Sequence, residues 1–282
     1  AKKPKSPKST STFQDSGIQS QERSKMRIQV PKTTDAPKTN DLTTLASTNL
    51  SLQNLQLIHH INDGAHGSVA KYKHTPTNST LALKTIPLAA HERAQNAVLL
   101  ELKALHESQH PNVVAFYGAF YAEGAVHIAL EYMDASVLEL MRAEPNLRLA
   151  EPIVAAITAA VLDGLVYLHR ERHLIHRDVK PSNLLVDARG YIKIADFGVS
   201  GELSNTLSKK ASWVGTMHYM SPERITASHY SYNSDVWSLG ITVLELSTGR
   251  FPYTGADDAS APPRRLAFWD LLHYIVENDP PV

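Results

Sequence analysis

The chain has 282 residues, 43% of them hydrophobic and 20% charged, the profile of a soluble globular protein long enough for one large domain or two lobes sharing a cleft. Its 28 basic and 28 acidic residues cancel, so the overall charge points to neither nucleic acid nor a membrane surface as a partner. There is no cysteine, which excludes disulfides, thiolate zinc sites and cysteine nucleophiles; this fits a reducing compartment and leads to the expectation of a cytoplasmic location.

The balance of charge hides an asymmetry. Residues 1–40 carry nine Lys/Arg against three Asp/Glu, and the remainder carries 19 against 25, so a basic tail precedes an acidic body. Residues 1–48 are rich in Lys, Ser, Thr, Pro and Asn without steady apolar periodicity and read as a disordered tail. From Leu50 the pattern changes. Leu55, Leu57 and Ile61 alternate as in a strand that runs into Gly64 and Gly67, and Leu81 to Ile86 reads as another strand. Residues 90–108 read as a helix with Val98, Leu102 and Leu105 on one face. Residues 126–133 read as a strand, followed by helical segments to Arg170. The longest apolar stretch, Ile153 to Leu168, is interrupted by Asp163 and follows Pro152, a residue suited to a helix start. It reads as a buried core helix, too short and too polar to span a bilayer. No secretory signal is visible.

Leu184–Val186 and Tyr191–Ala195 suggest a short hairpin around Asp187-Ala188-Arg189-Gly190, and the pattern is helical again from Asp235. Strands first and helices later argue an α+β fold with a β-rich first lobe. There is no internal repeat.

Four groups of residues carry chemistry. Ile61-Asn62-Asp63-Gly64-Ala65-His66-Gly67-Ser68-Val69 contains glycines that let backbone approach phosphate oxygens, although a plain glycine-containing hairpin would look the same. In Leu81-Ala82-Leu83-Lys84, Ala82 and Lys84 share one face of a strand: the small residue leaves room for a base and the lysine can reach phosphates, the competing reading being an ordinary edge-strand lysine. The third group is His176-Arg177-Asp178-Val179-Lys180-Pro181-Ser182-Asn183, and eighteen residues beyond Asp178 comes the fourth, Asp196-Phe197-Gly198. The hairpin between the last two returns the chain to one cleft.

Together these motifs resemble the protein kinase family, over roughly residues 50–282, and the resemblance implies a bilobal kinase fold with a β-rich N-lobe and a mainly helical C-lobe. It implies ATP and Mg2+ as cofactors. On it, Asp178 accepts the proton of the attacking hydroxyl, Lys180 neutralises the transferred phosphate, and Asn183 and Asp196 hold the metal. Ile61, Asn62, Gly64, Gly67, Val69, Ala82 and Lys84 surround the nucleotide from the first lobe. Leu130 falls at the gatekeeper position, Glu131 to Met133 at the adenine-binding hinge, and Leu185 below it. Asn62 stands in place of the family's first glycine; Asn tolerates left-handed backbone angles, so the turn can survive. Glu101, in register with the family's helix, is the expected partner of Lys84, with Glu92 and Glu107 as rivals. Leu105, Phe116, His176 and Phe197 fall where the family stacks its regulatory spine, and Asp235 where it braces the catalytic loop.

Val179-Lys180-Pro181-Ser182-Asn183, Phe116-Tyr117-Gly118-Ala119-Phe120-Tyr121, Phe197-Gly198-Val199-Ser200-Gly201 and Tyr219-Met220-Ser221-Pro222-Glu223-Arg224 resemble mitogen-activated protein kinase kinases in particular. That resemblance implies dual specificity toward Thr and Tyr in the activation loop of a target mitogen-activated protein kinase, and an upstream activating kinase. It marks Ser212 as a regulatory phosphosite, with either Ser208 or Thr206 as the second. It also suggests a docking segment in the tail, where Arg23, Lys25 and Arg27 would meet an acidic patch and Ile28 and Val30 would fill small pockets; a solvated basic tail is the competing reading. The family also leads one to expect roughly 40–60 further residues completing the second lobe, among them an arginine partner for Glu223. An open apolar surface and an unpaired Glu223 are therefore expected. Two other functions compete: a catalytically impaired kinase fold acting as a scaffold, suggested by Asn62, and a Ser/Thr kinase from a neighbouring tier of the cascade.

Overall fold

A computed structural model of the chain describes residues 50–64, 67–87, 109–144, 146–196, 217–228, 231–255, 264–265 and 267–281. The tail, residues 90–108 and the segment around residues 197–216 lie outside them.

The first lobe is built on a five-stranded antiparallel sheet: β1 (Leu55–Gly64), β2 (Gly67–His74), β3 (Ser79–Pro87), β4 (Phe116–Ala122) and β5 (Ala125–Glu131), ordered β1-β2-β3-β5-β4. The apolar patterns of β1, β3 and β5 make them recognisable in the sequence. β2 and β4 are additional: β2 mixes Lys71 and Lys73 with Tyr72 and His74, and β4 interposes Gly118 and Ala119 among aromatics, so neither shows a clean alternation. Register sorts the side chains. Val69 lies opposite Lys84, Lys71 opposite Ala82, and Ala82 opposite Leu130, so Val69, Ala82, Lys84 and Leu130 share one face of the sheet. The other face carries Leu81, Leu83 and Ala129, covered by Leu50, Leu52, Leu55, Tyr72, Tyr117 and Phe120.

The second lobe contains α1 (Val137–Ala143), α2 (Glu151–Arg170), α3 (Pro222–Ile225), α4 (Asn233–Thr248) and α5 (Phe268–Glu277). A small sheet joins β6 (Ala135–Ser136), which directly precedes α1, to β7 (Leu184–Val186) and β8 (Ile192–Ile194), which follow α2, and contributes to the common core. α1 begins with a reciprocal cap: Ser136 Oγ accepts from the Glu139 N–H, and the Ser136 N–H donates to the Glu139 carboxylate at 2.8 Å. α2 starts at Glu151, with Pro152 in its first turn. Val154, Ile157, Val161, Leu165 and Leu168 form its buried stripe, each contributing about 1.5–3 kcal/mol of hydrophobic burial. The helix is longer than the apolar stretch read from the sequence, and by length and composition its 20 residues could cross a membrane. Its buried stripe instead packs in the core with Ile194 and Leu239, the arrangement of a core helix. Gly164 is required here: a Cβ on it would lie 2.9 Å from the Asn112 carbonyl oxygen and 2.8 Å from Ile194 Cδ1.

α4 buries Ser234, Asp235, Ser238 and Thr242 along with Leu239, Ile241 and Leu246. Ser238 and Thr242 satisfy their hydroxyls on carbonyls one turn back. Two short strands close this region: β9 (Thr254–Gly255) runs antiparallel to β10 (Arg264–Arg265). In this lobe Val236 is 52% exposed and Trp269 76% exposed.

Candidate active site

The phosphate-loop motif forms the β1–β2 hairpin, with Gly64 opposite Gly67. Gly67 has a left-handed φ of 119°, and a Cβ there would collide with the Thr85 carbonyl oxygen, so the loop backbone lies directly on β3. Asn62 needs no left-handed tolerance. It is a strand residue opposite Val69 and is not among the residues with positive φ, which corrects the reading of how it replaces a glycine. Ile61 is 47% exposed, whereas Ala82 is buried.

Lys84 lies nearly buried on the cleft face, its Nζ 2.5 Å from Asp196 Oδ1. Asp196, whose side chain is 46% exposed, takes a left-handed φ of 60°. The Lys84 ammonium holds the Asp196 carboxyl below its ordinary value, although partial burial works the other way. Glu101, Glu92 and Glu107 lie outside the described residues.

The catalytic-loop motif is held from below by one carboxylate. Asp235, fully buried in the first turn of α4, accepts the His176 N–H at 2.7 Å, the Arg177 N–H at 2.8 Å and a hydrogen bond from His169 Nε2 at 2.7 Å. Burial opposes its charge, but these donors outweigh it and keep its carboxyl below the ordinary value. The His176 ring is locked in turn. Its Nδ1 accepts the Asp178 N–H at 3.2 Å, which leaves the proton on Nε2 to donate to the Ala195 carbonyl at 3.0 Å. The Ala195 N–H donates to the Asn183 carbonyl at 2.9 Å, so the loop and the residue before Asp196 form one hydrogen-bonded unit.

Asp178 sits at the centre of that unit. Its Oδ2 accepts from Lys180 Nζ and from Asn183 Nδ2, each at 2.8 Å. Its Oδ1 is buried with no hydrogen-bond partner among the described residues. An ionised carboxylate with one oxygen secured and the other unsatisfied is an acceptor awaiting a donor. Asn183 Nδ2 is committed to Asp178, while its Oδ1 accepts only a long hydrogen bond from Ser182 Oγ at 3.4 Å and keeps a lone pair with which to act as a ligand. A divalent cation fits this set: one carboxylate that already holds an ammonium, and one amide oxygen. No group of three or more His, Cys, Asp and Glu able to hold a metal occurs among the described residues, so any ion here would draw further ligands from water and a phosphate.

Above this polar floor lies an apolar platform. Met133, Val114 and Ala195 cluster with Leu130 and Leu185, which brings the gatekeeper, hinge and lower residues together beside Asp196. Glu131 differs from the others. Its carboxylate turns away to Lys193 Nζ at 2.8 Å and to the Ala115 N–H at 3.1 Å, so only its backbone belongs to the cleft. Of the spine positions, Phe116 packs on the main core and His176 is buried, while Leu105 and Phe197 lie outside the described residues. Ser212, Ser208 and Thr206, and Arg23, Lys25, Arg27, Ile28 and Val30, also lie outside them.

Three contacts were not legible in the sequence. Glu223, expected without its arginine partner, accepts a hydrogen bond from Ser234 Oγ at 2.8 Å. Tyr219 donates to Glu245 Oε2 at 2.5 Å, and burial pushes both groups above their ordinary values. The Glu131–Lys193 pair had one available signal: a lysine between two isoleucines in a short strand, a position that is buried only when the charge is matched.

The family model described as "Protein kinase domain" matches residues 55–268. The chain is 50% identical over 209 residues to "Dual specificity mitogen-activated protein kinase kinase 1" of Dictyostelium discoideum, covering 73% of this chain and 31% of that protein. It is 42% identical over 248 residues to "Dual specificity mitogen-activated protein kinase kinase dSOR1" of Drosophila melanogaster, covering 82% and 62%. It is 44% identical over 244 residues to "Mitogen-activated protein kinase kinase 2" of Arabidopsis thaliana, covering 84% and 64%. The chain thus spans from about a third to just under two thirds of the length of these relatives.

Proposed function

The chain belongs to the protein kinase domain family, which uses ATP and a divalent metal, and from that premise we propose that it phosphorylates Thr and Tyr in the activation loop of a target mitogen-activated protein kinase. The observation that carries the reading is the Asp178 carboxylate, clamped through Oδ2 by Lys180 and Asn183 with Oδ1 unsatisfied. The names of two of the relatives, at 50% and 42% identity, support the dual specificity.

Oδ1 of Asp178 accepts the proton of the incoming hydroxyl, which orients its oxygen toward the phosphorus. Lys180 keeps its ammonium against Asp178 and presents positive charge to the phosphoryl group. With nucleotide bound, Lys84 would pair with phosphate oxygens, and the Asp196 carboxylate and Asn183 Oδ1 would hold the metal. We take the metal to be Mg2+, which needs few protein ligands and keeps water and phosphate oxygens in its shell. Bound there, it neutralises charge on the phosphates. The backbone of Gly64 and Gly67, the platform of Leu130, Met133 and Leu185, and Ala82 opposite Leu130 orient the nucleotide and exclude water from it.

Activation by an upstream kinase at Ser212 and at Ser208 or Thr206, and docking through Arg23, Lys25, Arg27, Ile28 and Val30, complete the proposal. The test is phosphosite mapping on a panel of folded mitogen-activated protein kinases incubated with the activated protein, ATP and Mg2+. Paired phospho-Thr and phospho-Tyr in one target's activation loop is the expected result. Labelling of generic peptides with no preference for a folded kinase would reject dual specificity, and transfer equal to that of the Asp178→Asn protein would reject an active kinase.

A further inference from the structure

Lys193 has no part in the mechanism above, yet it is a buried charge beside the site. Its side chain is 7% exposed, between the buried Ile192 and Ile194 of β8, three residues before Asp196. Its ammonium meets Glu131 Oε2 at 2.8 Å, and Glu131 begins the hinge. The same carboxylate oxygen accepts the Ala115 N–H at 3.1 Å, while the Glu131 N–H donates to the Ala115 carbonyl at 2.8 Å. Ala115 ends a short splint. The Val114 N–H donates to the Ile194 carbonyl at 2.9 Å, the Ile194 N–H to the Asn112 carbonyl at 2.8 Å, and Asn112 Nδ2 to the Ile192 carbonyl at 3.0 Å. The hinge and the strand leading to Asp196 are therefore joined twice, by this run of hydrogen bonds and by the ion pair.

We infer that Glu131 and Lys193 are positioning residues: the buried pair sets the separation between the hinge, where the base is held, and Asp196, where the phosphate-bound metal is held. The inference rests on the nucleotide-binding reading above. A base and a metal-bound phosphate belong to one covalently joined ligand, so a shift of one anchor relative to the other forces the ribose and triphosphate between them out of their best conformation and weakens the contacts at both ends. Cohesion alone does not explain a charged pair here, because a matched apolar pair fills such a space as well or better. The pair adds direction: one bond between fixed atoms, where apolar packing would tolerate sliding.

The test is calorimetric binding of ATP with Mg2+, which does not require phosphate transfer, with the melting temperature of each variant alongside. Lys193→Met and Glu131→Gln each remove one charge, Glu131→Leu/Lys193→Met replaces the pair by apolar groups, and Lys193→Arg keeps it. The expected result is binding weakened about tenfold, together with a higher Mg2+ requirement, in the single and double charge-removing variants, and near-parental binding in Lys193→Arg. The double variant regains the melting temperature without regaining affinity. Should Lys193→Met not fold, the double variant and Glu131→Gln carry the same comparison. Parental affinity in the folded charge-removing variants, or affinity that returns with the melting temperature in the double variant, overturns the inference and leaves the kinase reading standing. A parent chain that binds no nucleotide overturns both.

Discussion

Two carboxylates, one partly buried and one fully buried, divide the work at the residue scale. Asp178 faces the reaction and keeps one oxygen open, while Asp235 faces the protein and has its oxygens spent on backbone and imidazole donors. Asp178→Asn keeps the shape and removes the acceptor charge. It is expected to lower kcat by about a thousandfold with little change in nucleotide affinity, which transfer and binding assays separate. Asp235 makes stability depend on acid. Its folded pKa lies below the ordinary 3.8, so its contribution is fully present above about pH 4 and is lost as pH falls through the depressed value. Melting temperature followed from pH 6 to pH 3 should fall, and the Asp235→Asn protein should show a shallower fall from a lower start. The residues of the catalytic loop were legible because Asp178, Lys180 and Asn183 sit within six positions of one another. The partners that orient them were not: His169 lies 66 positions from Asp235, and nothing local in either residue announces the other.

At the scale of elements, positions are set by close approach. α2 comes near β8 and the Asn112 segment only because Gly164 has no side chain. Gly164→Ala would press a methyl group on the Asn112 carbonyl and Ile194, and is expected to cost about 1–3 kcal/mol, read as a lower denaturant midpoint with unchanged m-value. Because Ile194 and Asn112 belong to the splint behind Asp196, weaker nucleotide binding should accompany it. Periodicity made α2, α4 and α5 readable, and continuous apolar runs did so for β3 and β5. β2 and β4 escaped for a physical reason. Their stability comes from ladder bonds to β3 and β5, which were in place to accept them, so their own residues need not alternate cleanly.

At the scale of the whole molecule, both lobes contribute to the proposed nucleotide site: Gly64, Gly67 and Lys84 from the sheet, Asp178, Asn183 and Asp196 from the second lobe, with Glu131 to Met133 between. Binding should therefore stabilise the whole unit. At a nucleotide concentration one hundred times Kd, the gain is about 2.7 kcal/mol, visible as a rise in melting temperature that requires both ATP and Mg2+. Lys84→Met keeps the aliphatic stem and removes the ammonium, so it should abolish most of that rise. The sequence by itself determined which chemical groups this protein carries and roughly which elements present them, because motif spacing and apolar periodicity are local properties of the chain. Only the tertiary structure decided how those groups are used. The cleft residues meet because β-strand register aligns Val69 with Lys84 and Ala82 with Leu130, and the loops meet because a buried aspartate and a histidine ring join segments far apart in the chain. It also decided that Glu131 turns its charge to Lys193, since a buried lysine must be matched by whichever carboxylate the packing brings within reach.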